Sequence, residues 1–206
     1  MKKDKIISLL LAVVGIIFVG IGIAFNATAA LGNDPVGIMY DGIRSILNLS
    51  AEELGRASNI VNITLGITVL LLARQYINIG TFIYILPYGK IVDVGVKLYN
   101  TIFKIQIMPT QIVGAILGCC MLYLGVAMFI VADIGLDPFT GFVMMLRDKF
   151  RKEYRYMKIC FDIACVFIGF SLGGRIGIIT IVTALIAGPV IQFFVDQIEK
   201  AMKKIK

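Results

Sequence analysis

From Ile6 to Phe25 the chain carries no charged residue, and a second run of the same kind extends from about Thr110 to Ala132. A helix needs about 20 apolar residues to cross the hydrocarbon core of a bilayer. Inside that core every backbone N–H and C=O must be paired within the segment, so runs of this length can only be helices. Composition agrees: 59% of the 206 residues are hydrophobic, 16% are charged, and mean hydropathy is +0.92. A soluble domain averages about 25% charged residues. The chain therefore reads as an all-α integral membrane protein whose first partner is the lipid bilayer.

The net charge of +7 matters less than where the charges stand. Lys2, Lys3 and Lys5 precede the first apolar run, and Lys200, Lys203, Lys204 and Lys206 follow the last. Arg147, Lys149, Arg151, Lys152, Arg155 and Lys158 lie between two apolar segments. Basic flanks stay on the cytoplasmic side, so a multi-pass protein of the cytoplasmic membrane with both termini cytoplasmic is expected. The basic residues bracket spans and line no single face, which argues against nucleic acid as a partner. The start of the chain also resembles a secretory signal, ending in Ala27-Thr28-Ala29. Its apolar run exceeds the roughly 7–15 residues of a signal core, so residues 6–29 are expected to remain as a first span.

The two halves repeat each other. Residues Gly22 to Pro35, "GIAFNATAALGNDP", align without gaps on Gly125 to Pro138, "GVAMFIVADIGLDP", with six identities in fourteen positions. Gly22/Gly125, Asp34/Asp137 and Pro35/Pro138 are among them, and further on Arg56, Thr81 and Gly89 fall on Arg155, Thr180 and Gly188. Residues 1–105 and 106–206 thus read as two repeats of one membrane domain. Each holds a long span (about 6–29 and 110–132) and a short helix (about 35–48 and 138–149). Two further spans follow (about 56–76 and 79–98; 156–173 and 176–197). Ser50-Ala51-Glu52-Glu53 is a capping box that opens the helix after it.

About 14 residues at 1.5 Å each make a helix of roughly 21 Å, too short for the ~30 Å core. If the short helices only dip in, each half crosses three times, the second half is inverted, and there are six spans. If they cross, there are eight spans and the repeats are parallel. Length favours six and charge bias favours eight; six spans plus two short Asp-Pro helices are the expectation.

The Asp-Pro steps have a physical reason. Proline at the first helical position loses nothing, because its missing N–H would have no partner there. An aspartate just before it caps free N–H groups at the positive end of the helix dipole. Pro35 and Pro138 therefore mark helix starts at or near membrane depth, capped by Asp34 and Asp137. Short or broken helices at matching positions of two halves point to a transport site. The alternative is that both carboxylates simply cap interfacial helices.

The stretches "GIGIAFNATAALGNDPVGIMYDGI" (Gly20 to Ile43), "NIGTFIYILPYGKIVD" (Asn78 to Asp93) and "RIGIITIVTALIAGPVIQ" (Arg175 to Gln192) resemble the YczE/YyaS/YitT family of small bacterial membrane proteins. Asn78 stands where that family would have a glycine, and Ile179 stands where Gly80 is in the first copy. The resemblance covers nearly the whole chain and rests on small residues and prolines. It implies a multi-span cytoplasmic-membrane protein of undefined biochemical role and supplies no catalytic residues.

Other polar residues inside the spans join the candidate pathway. Lys90 and Asp93 are spaced to pair on one helix face, and Asp162 is one position out of register with Asn62. Ionisable groups at bilayer depth usually face a cavity or a partner; for Lys90 the alternative is snorkelling to a surface. Asn26, Asn59 and Asn62 suit hydrogen bonds between helices. Gly22, Gly125, Gly89 and Gly188 are close-packing positions, and such small-residue stripes also offer a surface for a homodimer.

No histidine is present, and no zinc, Walker or nucleophile-elbow motif can be found. Neither a cofactor nor a metal is expected, and the chain is not expected to be an enzyme. Cys119, Cys120, Cys160 and Cys165 lie in apolar runs and suit helix packing. The expected function is a small-solute or ion transporter, substrate unknown, whose site lies between the halves near Asp34, Asp137, Lys90, Asp93 and Asp162. The alternatives are a substrate-binding subunit of an ATP-driven importer and a non-transporting scaffold that docks through residues 147–158.

Overall fold

The computed structural model describes residues 2–205, with side chains from 5 to 203. Among the described residues eight α-helices follow one another: α1 (Lys2–Ala29), α2 (Pro35–Ile46), α3 (Leu54–Leu72), α4 (Ile79–Ile102), α5 (Met108–Ala132), α6 (Pro138–Phe150), α7 (Tyr154–Ser171) and α8 (Ile178–Ile205). Single 3-10 turns at Ala51–Glu53 and Arg74–Tyr76 precede α3 and α4. The capping box forms, with the Ser50 N–H donating to Glu53 Oε2 at 3.1 Å. No strand occurs among the described residues.

Among the described residues, five helices are long and apolar enough to cross a membrane: α1, α3 with the turn before it, α4, α5 and α8. The helix α7 has 18 residues but carries Arg155, Lys158 and Asp162, and it falls outside this group. With 12 and 13 residues, α2 and α6 are too short. The protein is therefore all-α, integral and multi-pass.

At the centre α1 and α5 cross antiparallel. A Cβ on Gly15 would meet the Gly125 carbonyl at 2.8 Å, one on Gly22 would meet the Leu122 nitrogen at 2.6 Å, and Gly118 lies under Asn26. As numbers rise along α1 they fall along α5. Lipid gives helices no hydrophobic reason to associate, so they rely on close backbone approach, which glycine permits. Around this pair, α4 packs on α1 and α8 on α5, while α2 packs on α7 and α6 on α3. Each short helix thus lies against a long helix of the other half.

One packing pair lacks its counterpart. Helices α3 and α4 lie tightly together, with Gly55 and Gly89 face to face: a Cβ on Gly55 would stand 1.9 Å from the Gly89 carbonyl. Helices α7 and α8 make no comparable contact. Gly188, expected to be a packing position like Gly89, instead has nothing within 4 Å. The correction has a physical cause: α8 leans on α5, so its Gly188 face meets no backbone. Helix α8 is the most exposed of the five candidate spans.

Candidate functional site

After Ala29 the chain folds back on itself. Ala30 and Gly32 take positive φ, 58° and 100°. The Asn33 side-chain amide then donates to the Ile23 carbonyl at 3.5 Å, more than a turn and a half back along α1. Helix α2 therefore starts below the end of α1. Asp34 is its N-cap in extended backbone, with Oδ1 accepting the Gly37 N–H at 3.2 Å, and Pro35 is its first residue. In the second half Asp137 Oδ1 accepts from the Phe139 and Thr140 N–H groups, both at 3.0 Å, and Pro138 follows. Both helix starts are built as the sequence indicates.

Matching hydrogen bonds hold the two turns. The Ile179 N–H donates to the Leu31 carbonyl at 3.0 Å, and the Gly80 N–H donates to the Ile134 carbonyl at 3.2 Å. Each turn is thereby tied to the first residues of the opposite half's last helix. The Thr81 hydroxyl adds a bond to the Leu136 carbonyl at 2.7 Å. Gly32 fits only without a side chain, since a Cβ there would lie 2.6 Å from the Gly177 nitrogen.

The two short helices meet over a buried aromatic cluster. Tyr40 of α2 packs edge-on against Phe139 of α6, with ring centroids 5.8 Å apart. Tyr84 and Tyr88 of α4 stack at 4.8 Å, and Tyr88 lies 6.1 Å from Tyr40. Asn62 Nδ2 of α3 donates to the Tyr40 hydroxyl and to the Ser58 carbonyl, each at 2.8 Å. Lys158 and Asp162 of α7, the helix on which α2 packs, form an ion pair at 2.5 and 2.6 Å.

Among the described residues, three buried side-chain atoms have no hydrogen-bond partner: Asn26 Nδ2, Asn62 Oδ1 and Tyr123 Oη. Leaving such a group unpaired costs about 1–3 kcal/mol, a cost that folded proteins accept mostly at functional positions or where water or a ligand pairs the group. Asn26 and Asn62 are wholly buried and Tyr123 nearly so. Cys119 of α5 donates its thiol to Asn26 Oδ1 at 3.7 Å.

The candidate residues therefore separate into two groups. Asp34 and Asp137 start the two short helices whose Tyr40 and Phe139 meet in the aromatic cluster, and Asp162 pairs with Lys158 on α7. Lys90 and Asp93 make no ion pair with each other: Lys90 is exposed, and Asp93 Oδ1 accepts the Gly55 N–H at 2.7 Å, capping the start of α3. Asn59 Oδ1 accepts the Gly89 N–H at 3.0 Å, which stitches α3 to α4. Tyr40, Tyr84, Tyr88 and Tyr123 were not anticipated. Their one sequence signal is Tyr84 and Tyr88, spaced to share a helix face inside an apolar span.

Comparison with known proteins follows this geometry. A "Family of unknown function (DUF6198)" matches residues 6–196. An uncharacterised protein of Haemophilus influenzae is 22% identical over 196 residues, covering 95% of this chain and 86% of the relative. The "Uncharacterized membrane protein YczE" of Bacillus subtilis is 22% identical over 199 residues, covering 96% and 89%. No solved structure matches. The chain belongs to the DUF6198 family of unknown function and is a YczE-like integral membrane protein.

Proposed function

We propose that the protein is a small-solute or ion transporter of the cytoplasmic membrane, made of two inverted halves that together cross six times. Both chain ends lie in the cytoplasm. The sixth crossing is α7, whose Lys158 and Asp162 neutralise each other as a pair, which lowers the cost of carrying charge into lipid. The antiparallel crossing of α1 and α5 supports inversion, because the two helices occupy equivalent places in their halves. The matched bonds Ile179 to Leu31 and Gly80 to Ile134 support it independently.

The observation that carries the reading is the meeting of the two Asp-Pro helices, one from each half, in one aromatic cluster through Tyr40 and Phe139. Inverted repeats with discontinuous helices bind substrate where the halves meet, and alternate access by exchanging the halves' conformations. Purified protein in liposomes, tested for flux of alkali ions, ammonium, amino acids and small organic anions, checks this. Movement of one of these solutes that Asp34→Asn reduces at least tenfold is expected. Absence of any flux, or flux untouched by both Asp34→Asn and Asp137→Asn, contradicts the reading.

A further inference from the structure

Both short helices carry the same ion pair near their C-terminal ends. On α2, Arg44 donates Nε at 2.9 Å and Nη2 at 2.7 Å to Asp41 Oδ1. On α6, Arg147 donates Nε at 2.9 Å and Nη2 at 2.7 Å to Asp148 Oδ1. In each pair the second carboxylate oxygen reaches another element. Asp41 Oδ2 accepts the Arg175 N–H at 3.0 Å, from the turn between α7 and α8. Asp148 Oδ2 accepts the Tyr76 hydroxyl, from the turn between α3 and α4. Each short helix therefore grips the turn before the last helix of the opposite half.

The gripping and gripped positions are equivalent in the repeat. Arg44 falls on Arg147 in the register that pairs Asp34 with Asp137, and Tyr76 falls on Arg175 in the register that pairs Thr81 with Thr180. Only the aspartate differs: it stands three residues before the arginine in α2 and one after it in α6. The same contact is thus built twice from differently placed carboxylates. Along the helix that leads to each gripped turn, a glycine of the short helix lies on its neighbour. A Cβ on Gly42 of α2 would stand 2.4 Å from the Gly169 carbonyl of α7, and one on Gly141 of α6 would stand 3.5 Å from Val69 of α3. Such positions have no side chain to withdraw when the helix lifts.

We propose that the two ion pairs are a pair of latches, one on each membrane face, which hold the short helices shut over the aromatic cluster and release one at a time. The proposal rests on the six-crossing transporter reading and deepens it by naming the parts that move. Six crossings put the end of α2 and the Arg175 turn together on the outer face, and the end of α6 and the Tyr76 turn together on the inner face.

Two buried thiols read the two seams in the full-length protein: native Cys165 on α7, and Val69→Cys on α3. Each is kept alone, with the other cysteines replaced. A membrane-impermeant thiol reagent is applied to intact cells and to inverted membrane vesicles. Asp41→Ala is expected to speed modification of Cys165 about tenfold, from the outside only, and to leave Val69→Cys unchanged. Asp41→Asn keeps an acceptor for the Arg175 N–H and should speed it less. Asp148→Ala should speed Val69→Cys about as much, from the inside only, and leave Cys165 unchanged. Tyr76→Phe, which keeps the ring and removes only the hydroxyl, should act in the same direction as Asp148→Ala. Rates that none of these substitutions changes overturn the proposal. So do substitutions that speed both reporters alike, which is general loosening, or that expose both from one side. Seam-specific labelling in a protein that moves no solute leaves the latches standing and removes the transporter reading. Solute flux with labelling rates untouched does the reverse.

Discussion

At the scale of single residues, a cap and a ligand-facing carboxylate can be told apart by what each substitution leaves behind. Asp137 holds two N–H groups and a hydroxyl, so Asp137→Asn keeps an acceptor for the start of α6. Asp137→Ala removes it and costs about 1 kcal/mol. Thermal unfolding of the purified protein in detergent should place Asp137→Asn near wild type and Asp137→Ala clearly below it. Equal losses for both would mean that the negative charge, and not the cap, is what α6 needs. The helix starts were legible because proline and aspartate have strong positional meaning. The tyrosines were not, because a tyrosine in an apolar span looks like packing until its neighbours are known. Lys90 and Asp93 misled for a related reason: spacing allows a pair, but Asp93 finds a nearer donor in the Gly55 N–H.

At the scale of elements, helix boundaries followed the apolar runs closely, and departures came where tertiary contact decides. The third helix was expected to reach residue 76, but it ends at Leu72 and a separate 3-10 turn covers Arg74–Tyr76. That turn is held from outside: the Tyr76 hydroxyl and the Arg147 guanidinium both bond Asp148 of α6. The bonds from Tyr76 and Arg147 hold the Asp148 carboxyl below its ordinary range, and Asp148 in turn raises the Tyr76 phenol. A depressed carboxyl stabilises the fold above its unfolded pKa, and that contribution fades as pH falls through the folded value. Hydrogen exchange at the C-terminal end of α6 should therefore speed up on acidification below the ordinary carboxylate range, and Tyr76→Phe should weaken this pH response. Packing gives a second element-scale test. Gly22→Leu and Gly125→Leu force apart the α1–α5 crossing and should each cost about 1–3 kcal/mol. Gly188→Leu meets open space and should stay within about 0.5 kcal/mol of wild type. Unfolding midpoints that rank Gly188→Leu as the worst of the three would contradict the packing described.

At the scale of the molecule, the sequence shows a likeness between the two halves and the packing bears on how they run. Six identities in a fourteen-residue alignment say that two pieces are alike. They do not say whether the pieces run the same way through the membrane, because hydrophobicity that is uniform around a helix has no orientation. The antiparallel glycine contacts between α1 and α5 are what supports the inverted arrangement proposed above. Single cysteines at positions 50, 100 and 150, on a background with Cys119, Cys120, Cys160 and Cys165 replaced, test it with a membrane-impermeant thiol reagent on intact cells. Inverted halves crossing six times predict that 50 and 100 react from outside and 150 does not. Protection of all three positions, the pattern of eight crossings with parallel halves, would contradict the shared site on which the proposed function stands.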